Sequence, residues 1–177
     1  MGLPLRAADY VVSPRRRTVD SPIGRLILVA GDAGLSHVLF PSHDLRDLHF
    51  VDTDVPEVQD DGVLNQTAEQ LAEYFSGDRT VFDLPLHIEG TDFEIDVWRA
   101  MATIPFGETI SYGEQAEVAG YPGAFQAVGG TNGRNPIGII LPCHRIIGSD
   151  GSLVGFSGGL DVKRQLLDLE AGVQRLF

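Results

Sequence analysis

The chain has 177 residues, of which 43% are hydrophobic and 21% are charged, the composition of a globular protein. Its 13 Lys and Arg residues against 25 Asp and Glu residues give a net charge of −12, which argues against a nucleic-acid partner because DNA affinity depends on neutralised phosphates. The single cysteine, Cys143, excludes an internal disulfide and a multi-cysteine zinc cluster. The sequence shows neither a membrane-spanning run nor a signal-peptide core, so a cytoplasmic protein without a membrane partner is expected.

The first half of the sequence carries signals for strands, turns and one helix. Apolar runs on either side of a Gly-Asp-Ala-Gly turn predict two strands, and helically spaced apolar residues predict a helix that stops at Gly77. The predicted elements are, in chain order, a loosely ordered, solvated tail over 1–17 that includes the basic cluster Arg15-Arg16-Arg17, strands over 26–30 and 35–40, a loop over 41–61, a helix over 63–75 and a strand over 81–88. Gly90 marks the predicted boundary between a domain over 1–89 and a domain over 90–177.

The second half is mostly helical in pattern. Thr91 and Ser111 each precede a Glu by three residues, the spacing of a capping box, and Pro122 suits the first position of a further helix. The predicted helices run over about 92–103, from Ser111 to Gly120, from Pro122 to about Gly130, and over 160–170. Two short helices joined by a tight glycine turn indicate a helix-turn-helix, although any small helical hairpin has the same pattern. The sequence thus predicts an α+β fold, with a small N-terminal antiparallel-sheet domain and a mostly helical C-terminal domain that carries a helix-turn-helix.

One stretch of this acidic chain contains no acidic residue. Residues 118–149 have no Asp or Glu but do contain Arg134 and Arg145. A neutral-to-positive segment on an acidic protein is a candidate contact surface for an anion. A buried segment would also lack acids, so both interpretations stay open at this point.

Cys143 has neighbours that favour a reactive thiol. A lone cysteine is most often a small buried hydrophobe, but His144 and Arg145 follow this one directly, and two potential cations would lower the pKa of its thiol. His144 is the candidate base, provided that the backbone turns there, since adjacent residues of a strand face opposite sides. The remaining histidines have no metal-ligand spacing, so no metal site is expected.

Several sequence blocks of the second half occur together in one order. In chain order they are Phe93…Val97-Trp98, IPFGET from Ile104, SYGE from Ser111, AVG from Ala127, NPIGIILPCHRIIG from Asn135, GFSGGL from Gly155, and Leu166-Leu167…Glu170. With this order and spacing, residues 90–172 resemble the O6-alkylguanine-DNA alkyltransferase family. The first half is similar to the variable N-terminal domain of that family only weakly.

This resemblance implies a DNA repair function. The protein would bind the minor groove of double-stranded DNA through its helix-turn-helix and flip an O6-alkylguanine out of the stack. It would then transfer the alkyl group to Cys143 once, as a monomer and without a cofactor. O4-alkylthymine is a second candidate substrate.

The resemblance also implies two sets of site residues. The catalytic set contains the acceptor Cys143, its base His144 acting through a water, Glu170 to orient His144, and Asn135 to brace the turn. The substrate- and DNA-binding set contains Tyr112 beside the extruded base, Ser157 at its O6 atom, Arg145 as a support of the turn, and Phe125, Gln126 and Arg134 around the second helix.

Two positions depart from the family pattern. Gln126 stands where the family has an arginine that fills the gap left by the base, and Phe125 replaces a small residue. Phe125 could act as a wedge between base steps or could fill the core. Two other functions therefore stay open: a module that binds alkylated DNA with weak or lost transfer, and a non-repair enzyme with a cysteine nucleophile, such as a hydrolase or a redox protein.

Overall fold

The computed structural model describes residue 11 and residues 13–43 and 55–172. The chain divides into two compact units, residues 1–90 and 91–177. Within the described ranges, no helix is long and apolar enough to cross a membrane.

In its described residues, the N-terminal unit is a three-stranded sheet with a helix packed on it. Its elements are β1 Arg15–Val19, β2 Leu26–Gly31, β3 Gly34–Leu39 and α1 Gly62–Ser76. The sheet is antiparallel in the order β1-β2-β3, which confirms the predicted strand pair and the antiparallel sheet. Asp61 caps the start of α1 by accepting from two backbone N–H groups, and Gly77 ends the helix in the left-handed conformation, at the predicted position.

Two predictions for the N-terminal unit were wrong. The basic cluster is part of strand β1 and not a solvated tail, because its guanidinium groups have acidic partners. The guanidinium of Arg15 lies 2.7 Å from the carboxylate of Asp61 and 3.0 Å from that of Asp32. The predicted strand over 81–88 reduces to one isolated bridge, since its backbone meets the sheet only around Leu35. The predicted loop over 41–61 contains no helix or strand in its described parts, and residues 44–54 of it lie outside the described residues.

The C-terminal unit is mostly helical. Its elements are α2 Asp92–Ala102, β4 Ile110–Ser111, α3 Tyr112–Val118, α4 Phe125–Gly133, β5 Ile146–Ile147 and α5 Leu160–Glu170. Both predicted capping boxes are present, at Thr91 and at Ser111. Helices α3 and α4 form the predicted helix-turn-helix, and with α2 they enclose a small core of Val97, Ala116 and Val128.

Helix α4 begins three residues later than predicted. Gly120 and Gly123 have positive φ angles, of 87° and 84°, so Pro122 lies in the turn between the helices and not in the first helical position. The later start places Phe125 and Gln126 in the first turn of α4.

A substitution at Gly34 tests the tight contact between the β2–β3 hairpin and the backbone of Pro85. Gly34 has a φ of 139°, and a Cβ atom there would lie 2.4 Å from the carbonyl oxygen of Pro85. Gly34→Ala should therefore lower the free energy of unfolding by about 3 kcal/mol, measured by urea denaturation. Gly62→Ala is the matched control, because a Cβ atom at Gly62 would meet nothing within 4 Å. Equal midpoints for the two variants would contradict this account.

Candidate active site

Cys143 lies in a short turn that follows an apolar loop. The turn is one 3-10 helix, Cys143–Arg145, with Pro142 as its preceding residue. Its backbone is held by Cys143 N–H donating to Leu141 O at 2.9 Å and by Arg145 N–H donating to Pro142 O at 2.9 Å. The backbone therefore turns at Cys143, as the sequence required if His144 and Cys143 are to act together.

Asn135 braces the loop that leads to Cys143. Its side-chain nitrogen donates to Leu141 O at 2.9 Å, and its side-chain oxygen accepts from Ile137 N–H at 3.0 Å. Between these two anchors, Ile139 has a φ of 74°, a strained conformation for a β-branched residue. The buried Asn135 amide thus holds a loop that would not keep this shape alone.

A buried carboxylate joins the two residues that follow Cys143. Glu170 Oε1 lies 2.7 Å from His144 Nε2, and Arg145 donates to Glu170 from Nε at 2.8 Å and from Nη2 at 2.9 Å. Burial alone would raise the pKa of Glu170, but the hydrogen bonds from His144 and Arg145 outweigh burial and hold that pKa at about 2. Glu170 is therefore an anion that fixes both side chains.

The surroundings of His144 suit a proton acceptor. Its side chain is buried, and burial lowers its pKa, so the imidazole is neutral. Because the carboxylate of Glu170 accepts at Nε2, the proton of the neutral ring is assigned to Nε2. Nδ1 then carries a lone pair, and it has no hydrogen-bond partner among the described residues.

The prediction that His144 and Arg145 lower the pKa of the thiol was wrong. The Cys143 residue is only 6% exposed, and burial raises the pKa of its thiol. Arg145 is buried and bound to Glu170, and the imidazole of His144 is neutral, so neither supplies the positive charge. Three kinds of interaction lower the pKa of the thiol: a hydrogen bond from Asn135, the positive charge of Lys163, and hydrogen bonds from the backbone N–H groups of residues 143 and 144.

Lys163 is the site residue that the sequence analysis missed. A lysine near the start of a helix is normally solvated, but Lys163 is 0% exposed. Its ammonium donates to the carbonyl oxygens of Ile146 at 2.5 Å, Val154 at 2.9 Å and Gly155 at 3.3 Å. Burial lowers its pKa to about 8. The signal was present in the sequence, because Lys163 shares a helix face with the buried Leu166 and Glu170 at helical spacing.

Tyr112 and the loop before α5 also lie beside Lys163. The Tyr112 hydroxyl donates to Val154 O at 2.9 Å, and the Lys163 ammonium lies 6.0 Å from the centre of the Tyr112 ring. Burial, followed by the charge of a Cys143 thiolate, raises the pKa of Tyr112. Ser157 follows in the same loop and is partly exposed. The structure thus brings Tyr112, Lys163 and Cys143 within electrostatic reach of one another.

The remaining predicted residues divide into exposed and buried ones. Phe125 is 52% exposed at the start of α4, so the alternative that it fills the core was wrong, and Gln126 beside it is exposed. Arg134 follows α4 and lies 2.9 Å from Glu94. Arg145 donates from Nη1 to Ile104 O at 2.6 Å and is buried, a position that fits the expected support of the turn and not a contact with DNA.

Both halves of the chain match models of one protein family. Residues 92–172 match the DNA binding domain of 6-O-methylguanine DNA methyltransferase, and residues 15–88 match its ribonuclease-like domain. The chain belongs to the methylated-DNA–protein-cysteine methyltransferase family. This methyltransferase family match confirms the resemblance and extends it to the N-terminal half.

Named relatives and solved structures agree with this assignment. The methylated-DNA–protein-cysteine methyltransferase of Mycobacterium tuberculosis H37Rv is 46% identical over 156 residues, 87% of this chain and 90% of the relative. That of Methanosarcina barkeri is 45% identical over 152 residues, 86% of this chain and 94% of the relative. The crystal structure of Mycobacterium tuberculosis OGT in complex with DNA has a TM-score of 0.80 at 46% identity, covering 92% of this chain and 96% of that chain.

Replacing Lys163 with Met tests its effect on the thiol. The variant keeps an unbranched side chain but loses the charge that favours the thiolate, so the reaction of Cys143 with iodoacetamide should be about five-fold slower near neutral pH. Because the pKa of Lys163 is about 8, its charge is present below that pH and is lost as the pH rises through it. The rate difference should therefore narrow above that value.

Arg164→Met is the matched control for Lys163→Met, because Arg164 is the exposed neighbour on the same helix. It should show the wild-type dependence of the alkylation rate on pH. Identical pH profiles for all three proteins would refute the assignment of Lys163.

Proposed function

We propose that this protein repairs DNA by transferring the alkyl group of O6-alkylguanine to its own Cys143, once per molecule. The observation that carries the proposal is the buried group of Cys143, His144 and Glu170, with Lys163 as the cation, in a chain whose relatives are named for a protein cysteine as methyl acceptor. Double-stranded DNA approached from the minor groove is the proposed partner, and the protein acts as a monomer in the cytoplasm. O4-alkylthymine remains a second candidate substrate.

The proposed reaction is a displacement at a saturated carbon. His144 takes the proton of the Cys143 thiol at Nδ1, through a water, and the thiolate attacks the alkyl carbon. The bond between this carbon and guanine O6 breaks as the carbon–sulfur bond forms, and the electron pair stays with the guanine. The guanine takes up one proton, which balances the proton that the thiol gives to His144.

Burial and charge act together on the sulfur. A thiol with a raised pKa stays protonated until His144 takes its proton. The Lys163 ammonium, fixed by three carbonyl oxygens, then stabilises the negative charge without having to reorient. Fixed charges of this kind are strongest in a site from which water is excluded.

The reaction ends with a thioether, which explains a single turnover. The thioether sulfur carries no proton that could be removed to make it a nucleophile again, and the cysteine thiolate is a poor leaving group. The chain contains no second cysteine that could take the alkyl group over. Each molecule would therefore repair one base.

The exposed start of α4 is the proposed contact with the base stack. Extrusion of a base costs a few kcal/mol, and an aromatic wedge between base steps can offset part of that cost. Phe125 projects from α4 into solvent, and Gln126 beside it would occupy the gap that the extruded base leaves in the stack. Tyr112 and Ser157 would contact the extruded base, and Arg134 would contact a phosphate.

The transfer is tested by mass spectrometry of the intact protein after mixing with a duplex that contains one O6-methylguanine. One methyl group per molecule should appear on Cys143, identified by peptide mapping, and Cys143→Ser should gain none. Arg99→Gln, an exposed change on α2, is the control that should react like the wild type. Binding of the duplex without any gain in mass would favour the binding module, and repeated turnover of an ester would favour a hydrolase.

The wedge is tested by Gln126→Arg. Because a guanidinium stacks better than an amide and attracts phosphates, this variant should repair methylated duplex at least about three-fold faster than the wild type. Its reaction with free O6-benzylguanine should not change, since the free base needs no wedge. A similar acceleration of both reactions would argue against this position for Gln126.

A further inference from the structure

The two ends of helix α4 are held very differently. Its last turn is bound to two neighbouring helices by buried side chains. Gln115 of α3 and Asn132 of α4 exchange amide hydrogen bonds: Gln115 Nε2 donates to Asn132 Oδ1 at 3.0 Å, and Asn132 Nδ2 donates to Gln115 Oε1 at 2.6 Å. Gln115 Nε2 also donates to Val97 O of α2 at 3.2 Å, and Trp98 Nε1 of α2 donates to Thr131 O at 3.3 Å.

The first turn of α4 has no comparable attachment. Its N-cap residue, Ala124, offers no side-chain hydrogen bond to the helix. Phe125 and Gln126 are exposed. Val128, the next buried residue, packs with Val97 and Ala116 without side-chain hydrogen bonds. The side-chain hydrogen bonds that fix the register of α4 therefore lie at the opposite end of the helix.

The anchored end of α4 leads directly into the active-site turn. The carbonyl oxygen of Asn132 accepts from Asn135 N–H at 3.2 Å. The Asn135 side chain then holds both ends of the loop over 137–141, and Leu141 O accepts from the N–H of Cys143. A series of hydrogen bonds thus connects the amide pair of α4 to the backbone of Cys143.

We propose that Gln115 and Asn132 are positioning residues, whose buried amide pair fixes α4 relative to the Cys143 turn and so sets where an extruded base meets the sulfur. The proposal rests on the proposed function. Each amide is both donor and acceptor, and only one register of α3 against α4 satisfies both. A buried amide without its partner costs about 1–3 kcal/mol, so a slide of the two helices is disfavoured more strongly than in an apolar contact.

Two substrates separate this role from a purely structural one. A free O6-benzylguanine needs only the surroundings of Cys143. A base in duplex DNA needs the start of α4 and the sulfur at one fixed separation, and a misplacement of about 1 Å can cost as much as about a hundred-fold in rate. The informative quantity is the ratio of the two rate constants.

Asn132→Ala removes the amide and leaves the backbone contact to Asn135 in place. The single-turnover rate constant at saturating methylated duplex should fall at least about ten-fold, while that for free O6-benzylguanine should stay within about two-fold of the wild type. Gln115→Met, which keeps the length of the side chain, should change the ratio in the same direction and serves if Asn132→Ala does not fold. The exchanged pair, Gln115→Asn with Asn132→Gln, should recover at least part of the lost ratio.

Val128→Ala is the matched control, because the apolar side chain of Val128 is buried between α4 and its neighbours and makes no hydrogen bond. It should destabilise the protein while keeping the wild-type ratio. The inference is overturned if Asn132→Ala and Gln115→Met slow both reactions equally, or if Val128→Ala changes the ratio as much as they do. If the wild type reacts with neither substrate, the proposed function fails and this inference fails with it, whereas reaction of the wild type with an unchanged ratio in the variants refutes this inference alone.

Discussion

The carboxylate of Glu170 is the interaction on which the C-terminal unit depends most. Its two oxygens accept from His144, twice from Arg145, and from the N–H of Gly107 at 3.1 Å. Four donors satisfy a buried anion that would otherwise be very costly. In return, the carboxylate ties the end of α5 to the Cys143 turn and to the chain that follows α2. Removing it would leave the guanidinium of Arg145 buried without its counter-ion, so the charge state and the shape of the site depend on the same group.

The sequence predicted local structure well wherever short-range rules decide it. The capping boxes at Thr91 and Ser111 and the glycine stop at Gly77 depend on residues within a few positions of each other, and all three formed as predicted. The charges around Cys143 depend on the fold instead. His144 and Arg145 are next to the cysteine in sequence, yet burial in the fold keeps the imidazole of His144 neutral, and Glu170, far along the chain, pairs with the guanidinium of Arg145.

Lys163 is a second residue whose surroundings depend on the fold and not on its neighbours in the sequence. A lysine near the start of a helix is normally solvated, and nothing adjacent to it in the sequence indicates otherwise. It is buried where three carbonyl oxygens, one from β5 and two from the loop before α5, converge on its ammonium. Polar atoms of the backbone carry no sequence signature, so a cation held by carbonyl groups is harder to predict than one held by carboxylates. The spacing from Lys163 to Leu166 and Glu170 is the one local signal that places it on the buried face.

The helix-turn-helix is unusual in carrying little free positive charge. Residues 118–149 have no acid, but Arg134, the exposed cation at the end of α4, is paired with Glu94, which also caps α2. Contacts to DNA made mainly by exposed apolar and neutral side chains release few counter-ions, so binding depends only weakly on salt. In a protein of net charge −12, the proposed contact with DNA would rely on the local fit of α4 against the base stack more than on long-range attraction. Such a fit would require a rigid helix, the role proposed for the buried amides at the far end of α4.

A raised thiol pKa is an advantage for a residue that can react only once. Oxidants and general electrophiles attack thiolates that are exposed and have a low pKa, and Cys143 is neither. Its ionisation depends on a neutral imidazole and on an ammonium, and both are themselves buried and fixed by hydrogen bonds. The sulfur therefore becomes nucleophilic only through groups that are fixed inside the site. The same burial that makes the thiolate difficult to form protects the single acceptor from being consumed by anything other than its substrate.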